Sequence, residues 1–506
     1  MNTAAKIGLA ALGAVVALVG VVAVRTATFR PDVPDVSGLT LAAPVEIDGA
    51  RAAERLGRAI RFQTVSTQDP ADADWTQWDQ MQAFLAETYP AVWRLPLTRF
   101  EGRTLMFEWR GRDPALPPIV LMAHQDVVPI SPDTASRWNR PAFDGAVEGG
   151  FVWGRGALDD KGSMIALLEA TEALKARGFS PERTVYLLFG HDEEVSGTGA
   201  AAAARWFADR KVRPAFVLDE GGVILAENPI TGKPLALIAT GEKGYATLEV
   251  TASGQGGHSS TPPDRTAVHT LAQAVDAIAS DRFDKRLDGP ARAMIEVMAA
   301  DAPLTTRAAI ANLWLTSPLV IGQLGDSPAA VAMTRTTMAP TMLTGSPKEN
   351  VLPDRATALI NYRLHPRDTR DSAIARARAS IGDLEGVSLR WLPHGGEASP
   401  VSDHHAPAFR LLSALNAEMM AAPTAPGLLT GATDSRHFSG VAEQVYRFQP
   451  VVLTDQDIAS IHGVNEKVSI ENLDRMAEFY ARLIATAAAP QGLSDGAGAR
   501  LSERRE

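Results

Sequence analysis

The sequence predicts an α/β protein: a mixed, mostly parallel sheet with helices on both faces, led by an N-terminal transmembrane helix. Three observations carry this. "PPIVLMAH" (117–124), "TVYLLFG" (184–190) and "PAFVLDE" (214–220) are short, almost continuous apolar runs, the pattern of strands buried on both faces. Between and after them, Ser163 to Arg177 and Ala200 to Lys211 are rich in helix formers. Alternation of strand and helix gives a sheet with a parallel core, and such sheets place their sites beyond the carboxyl ends of the strands. Finally, Ile7 to Val24 holds only apolar residues and glycine. As a helix that run would span about 27 Å, close to the hydrocarbon thickness of a bilayer.

The N-terminal run is long for a signal-peptide core, and no clear small-x-small cleavage site follows it. An uncleaved anchor over residues 1–25 is therefore favoured over a removed signal. Lys6 and Arg25 flank its two ends, so charge alone does not orient it. The expected location is membrane-anchored with the body on the periplasmic or extracytoplasmic side, or secreted if the segment is cleaved. Residues 26–45, rich in Pro and Val, read as a linker, and 489–506 as a disordered tail.

The rest of the composition narrows the function. At 506 residues the chain exceeds the usual size of one domain, and with 45% hydrophobic residues it can bury a large core. A formal net charge of −10 argues against a nucleic-acid partner, which requires a basic footprint. There is no cysteine, so any metal must be held by His, Asp and Glu.

Each of the three strands ends in, or runs into, a histidine or an acid. In "LMAHQDVVP" His124 and Asp126 lie two apart, on one face of an extended segment, so His124 can ligate a metal while Asp126 holds its other ring nitrogen. "WGRGALDDKGSM" offers Asp159 and Asp160 in a glycine-rich turn before a helix, where a helix N-cap is the ordinary explanation. The strand "TVYLLFG" opens into His191, Asp192, Glu193 and Glu194, and "FVLDEGG" supplies Asp219 and Glu220. Far downstream, "ASIHGVNEKVSI" carries His462. Like charges gathered at the mouth of a sheet repel one another unless something positive sits among them.

These motifs resemble, in order, those of the aminoacylase and carboxypeptidase S family of two-zinc metallopeptidases. The resemblance runs through "AHQDVVP", "GRGALDDKG", "HDEEVSGTGA", "LDEGG", "SGQGGHSSTPP", "NYRLHP", "ATDSRHF" and "IHGVNEK", over residues from about 50 to 485. It is strongest to the branch that hydrolyses or forms N-fatty-acyl amino acids. The resemblance implies two Zn²⁺, replaceable by Co²⁺ or Mn²⁺, with His124 on one and His462 on the other. Asp159 would bridge them through a cis peptide to Asp160, Glu194 would be a ligand, and Glu193 the general base. From "LDEGG" either Asp219 or Glu220 would complete the set. Two doubly charged ions offset the ligating carboxylates, so such a set can occupy a low-dielectric cleft.

The resemblance also implies a smaller α+β lid inserted into the catalytic domain. The expected order is catalytic residues 46–244, lid 245–395, and catalytic residues 396–488. On the lid, His258 and Asn350 would donate to the oxyanion and Arg363 would clamp a substrate carboxylate by paired hydrogen bonds. Arg436 in "GATDSRHF" is a second carboxylate contact. The stretch 280–345 suggests extra helices, either enlarging an apolar pocket or adding packing mass. The expected substrate is a small molecule or short peptide with a free carboxylate. An N-acyl amino acid is preferred, and carboxypeptidase or dipeptidase action is the alternative. The lid would either cover its own site or join two chains into a homodimer. A non-enzymatic binding protein on the same scaffold would lack a ligand or the base, and none is missing from this sequence.

Overall fold

The computed structural model describes residues 3–325, 327–489 and 492–493. Helix α1 (Thr3–Ala27) is the apolar segment, exposed along its length until Thr26, which is buried against the body of the protein. The chain then builds a ten-stranded sheet. Strands β1 (Leu97–Phe100) and β2 (Thr104–Trp109) form an antiparallel edge, and β3 (Ile119–His124) runs through the centre. Helix α2 (Lys161–Ala176) leads into β4 (Val185–Gly190), which pairs parallel with β3 and antiparallel with β2. Helix α3 (Thr198–Asp209) leads into β5 (Phe216–Asp219), parallel to the other side of β3. The short β6 (Ile224–Leu225) and the longer β7 (Leu235–Glu242) follow.

The chain now leaves the large sheet. β8 (Gly244–Ser253) and helix α4 (Ala267–Ser280) open a second unit. Helices α5 (Gly289–Met298), α6 (Leu304–Ala311) and α7 (Leu313–Leu324) come next. They return to the edge of the large sheet, where Met294, Ile295 and Val297 share a core with Leu235 and Ala425. β9 (Thr337–Thr344), β10 (Arg355–Leu364), helix α8 (Arg370–Ile381) and β11 (Val387–Gly396) complete a four-stranded antiparallel sheet, in the order β9-β10-β8-β11. Finally β12 (Thr424–Leu429) joins β7, β13 (Val445–Arg447) fills the gap between β5 and β7, and β14 (Val452–Leu453) pairs with β6. Helix α9 (Ile470–Ala487) closes the described chain.

The two sheets differ in the way their sequences differ. On β4, Val185, Leu187 and Phe189 face one core, while Tyr186 and Leu188 face another. On β3, Ile119, Leu121 and Ala123 divide from Val120 and Met122 in the same way. Both faces of these strands are therefore covered, α2 and α9 packing on one side and α3 on the other, which is why the runs show no polar alternation. On β10 every second residue is buried, against Leu271, Ala274 and Ile278 of α4, and the other face is half-exposed. Strand–helix alternation, a mixed sheet parallel at its centre and an apolar N-terminal helix are as the sequence predicts.

Residues 28–45 form no helix or strand, but they lie on the body of the protein: Arg410 donates to the Asp35 carbonyl, and the Ala42 N–H to Thr486. The expected disordered tail, from 489, falls almost wholly outside the described residues. Phe189, next to last in β4, is fully buried one residue before the acidic loop. Phe189→Ala should cost about 3–5 kcal/mol through lost burial and an unfilled cavity, read as a lowered urea midpoint with an unchanged slope.

Candidate active site and metal centre

Parallel pairing brings the chemistry to one edge. His124, the last residue of β3, is in register with Gly190, the last residue of β4, so His191 to Glu194 leave the sheet at its level. On the opposite side Leu121 pairs with Leu218, which carries Asp219 and Glu220 to the same edge. Asp159 arrives from the glycine-rich turn before α2, and His462 from the loop before α9.

The side chains converge. His124 Nε2 lies 2.9 Å from Asp159 Oδ1 and 3.8 Å from Glu220 Oε1. His462 Nε2 lies 3.0 Å from Asp159 Oδ2 and 3.1 Å from Glu194 Oε2. One carboxylate, Asp159, thus stands between the two histidines, each oxygen facing one of them. Ligand atoms of His124, Asp159 and Glu194 lie within 4.8 Å of one another, as do those of His124, Glu193 and Glu220. The Asp159–Asp160 peptide is cis. Asp219 points elsewhere: its Oδ2 accepts the Ser435 N–H at 2.8 Å, so Glu220 is the acid of that pair turned towards His124.

A surrounding layer fixes these groups. The Nδ1 of His124 is 3.0 Å from the Asp126 carbonyl and 3.3 Å from its carboxylate, leaving Nε2 to face the cluster. The Asp126 carboxylate also accepts the backbone N–H groups of Glu193 and Glu194, both at 3.1 Å, so one buried acid sets both the imidazole and the acidic loop. Gly197 closes that loop with φ +64°, and a Cβ there would collide with Asp434. His462 and Asn465 hold left-handed backbone at φ 57° and 63°, a conformation seldom adopted by residues other than glycine and one that gathers at functional sites.

Burial raises the carboxyls of Glu193, Glu194 and Glu220, and neighbouring carboxylates raise them further. Burial acts the same way on Asp159, but hydrogen bonds from both histidines outweigh it and hold that group below its ordinary value. Hydrogen bonds to Asp159 and Glu194 raise His462 to about 10. The imidazoles are thus being drawn on as cations by an excess of buried negative charge. A donor set of His, Asp and Glu with that excess fits hard or borderline divalent ions, zinc above all.

The other residues predicted from sequence are placed as follows. Arg436 Nη1 is 3.7 Å from Glu193 Oε1 and donates to the Thr433 carbonyl, so it belongs to the edge of the site. His258 and Asn350 meet on the smaller unit, where the pairing of 257–258 with 351–352 brings them together and Ser259 N–H donates to the Asn350 carbonyl. Both are exposed, and the His258 ring engages Ser260. Arg363, on β10, stacks over the Tyr245 ring at 4.8 Å.

Sequence reasoning passed over the residues beneath. Glu466, fully buried, accepts from Arg155 at 2.7 Å and from the N–H groups of Gly156, Leu158 and Asp159 at 3.0, 2.8 and 3.2 Å. It is the mould around which the Asp159 loop is cast. Gln449 holds the same loop from the other side, through the Leu158 carbonyl, Asp160 and Ser163. Asp434 lies buried with neither oxygen hydrogen-bonded. Glu466 and Asp434 sit inside the motifs "IHGVNEK" and "ATDSRHF", and that is the one signal that marks them.

Comparison with known proteins gives the family. Residues 120–486 match the model of peptidase family M20/M25/M40. The chain is 37% identical over 440 residues to the N-fatty-acyl-amino acid synthase/hydrolase PM20D1 of Xenopus tropicalis, covering 85% of each chain. It is 34% identical over 440 residues to the probable carboxypeptidase S-like 2 of Dictyostelium discoideum, covering 85% of this chain and 84% of that one. Among solved structures, an M20 family metallo-carboxypeptidase from Sulfolobus solfataricus shares the fold, with a TM-score of 0.64 at 17% identity, over 86% of this chain and 98% of that one. The chain belongs to peptidase family M20/M25/M40, and it is a metallohydrolase.

Glu466→Ala should leave the Arg155 guanidinium and three N–H groups without their acceptor, at about 3–5 kcal/mol. The expected result is a lower melting temperature together with weaker metal retention on dialysis, since Asp159 loses its support.

Proposed function

We propose that this member of the family hydrolyses the amide bond of N-acyl amino acids, long-chain acyl groups included, and that the reaction runs in both directions. The observation that carries the reading is the 37% identity, along 85% of the chain, to a protein named for that reaction. The convergence of His124, Asp159, Glu194, Glu220 and His462 supports it.

In this reading His124, Asp159, Glu194, Glu220 and His462 would hold two divalent ions, zinc by preference. When bound, they polarise the scissile carbonyl and acidify water. Glu193 takes a proton from the attacking water. As the C–N bond breaks, it hands that proton to the leaving nitrogen. Burial lifts its pKa, which suits a group that must both accept and return a proton. Asp126 keeps His124 in the tautomer that leaves Nε2 free. Arg436, next to Glu193, and Arg363, on the smaller unit, are the candidates for the substrate carboxylate. His258 and Asn350 would reach the oxyanion when the smaller unit, acting as a lid, closes over the cleft. A homodimer through that lid is the proposed assembly: edge strand β9 leaves Met342 and Leu343 exposed. α1 is proposed to anchor the protein with its body outside the cytoplasm, where it meets acyl chains dissolved in the bilayer.

The carboxypeptidase reading rests on the 34% identity to the carboxypeptidase S-like relative. It differs in substrate, not in chemistry.

Three outcomes are expected. Glu193→Gln keeps every proposed ligand, so metal content by elemental analysis stays at two per chain while kcat falls by about 10²–10⁴. His124→Ala and His462→Ala each lose one equivalent of metal and most activity; a wild type holding a single ion would defeat the two-metal model. On a panel of N-acyl amino acids and dipeptides, kcat/KM rises from acetyl to long-chain amides, each methylene adding less than about tenfold. A flat profile with faster dipeptide turnover would move the protein to the carboxypeptidase reading.

A further inference from the structure

Helix α7 has a composition at odds with its place on the surface. From Ala308 to Gly325 there is no charged residue. Leu313 and Val320 face the core beneath, but Trp314, Leu315 and Leu319 are 57%, 46% and 60% exposed, and Pro318 between them is exposed as well. A turn-and-a-half of Trp, Leu, Pro and Leu facing solvent is an apolar surface that water does not stabilise.

Its neighbour is the end of α1. Asn312, which opens α7, donates to Thr26 Oγ1 at 3.2 Å, and Arg25 Nε donates to the Ala311 carbonyl at 3.3 Å. Phe29, just past α1, packs into the same cluster as Ile310, Leu313 and Val320. The apolar N-terminal helix is therefore built onto α6 and α7 without a free hinge. The first turn of α7 stands at the height where the run from Ile7 to Val24 ends.

We propose that α7 lies in the surface of the lipid bilayer that α1 crosses, with Trp314, Leu315 and Leu319 among the acyl chains and Arg25 and Arg30 at the headgroups. The inference rests on α1 being a membrane span. Trp belongs at such an interface, and the Trp314 N–H is satisfied by Asn312 Oδ1 at 3.4 Å, which leaves the exposed ring face apolar. Because the other face of α7 is packed on the protein, its open apolar face is free to bury into the boundary between headgroups and acyl chains, the depth at which interfacial helices sit. The protein then grips the bilayer at two points, and its body is held at a fixed tilt.

The absence of cysteine makes a clean test, since each introduced cysteine is unique. The full chain carrying Leu315→Cys, Leu319→Cys, Val15→Cys or Val401→Cys is spin-labelled and reconstituted into vesicles of phosphatidylcholine with phosphatidylglycerol. Relaxation by oxygen is compared with relaxation by a water-soluble nickel complex. Labels at 315 and 319 should be open to oxygen and shielded from nickel, as at 15, while 401 shows the reverse. If 315 and 319 behave like 401 while 15 reads lipid, α7 is not seated and the span stands. If 15 also reads water, the span itself fails. Shielding from both reagents, with spin–spin broadening that vanishes on dilution with unlabelled chain, would mean that a second copy covers α7, and would overturn the proposal.

Discussion

Buried negative charge at the carboxyl edge of the large sheet is the constraint to which the rest of the site answers. Asp126, Asp159, Asp160, Glu193, Glu194, Asp219, Glu220 and Asp434 crowd there, largely out of water. Burial disfavours each charge and the neighbours compound it, as the raised carboxyls of Glu193 and Glu220 register. Two devices offset this within the chain. Backbone N–H groups and imidazoles are turned on Asp126, Asp159 and Glu466, and Arg155 is buried against the last of these. What they leave is an excess shared by the acids facing His124 and His462 and by the unpaired Asp434 beside them.

The scaffolding follows from the same requirement. Acids that repel one another hold position only if their backbones are fixed independently of them. The central strands are buried on both faces and end in register, and the loops between them are pinned by Asp126, Glu466 and Gln449. His258, Asn350 and Arg363, the groups proposed to meet the substrate, stand instead on a thinner unit whose sheet has one half-exposed face.

The insertion between α4 and β9 packs against the edge of the large sheet. Its helices turn back to cover the edge of β7 and β12, and they take the end of α1 with them. The N-terminal apolar helix and the body are consequently one packed structure at that corner.

How much of this was legible in the sequence depends on whether the signal was local. Strands β3, β4 and β5, with His124, the acidic run to Glu194 and the Asp219–Glu220 pair at or just past their ends, could be read directly, because two-sided burial writes itself as an unbroken apolar run and the chemistry follows at once in the chain. The alternation on β10 and the apolar length of α1 were local in the same sense. The choice between Asp219 and Glu220 was not: adjacent residues on an extended strand end point opposite ways, and only the partner of each, Ser435 or His124, tells them apart. Glu466 was invisible as a support because its four donors lie more than 300 residues earlier. The destination of α5–α7 was also undetermined, since an apolar helix records that it is covered and not by what. Sequence by itself determined which groups exist and at which strand ends they emerge. Tertiary structure decided which of them face one another, because that depends on pairing and packing between segments far apart in the chain.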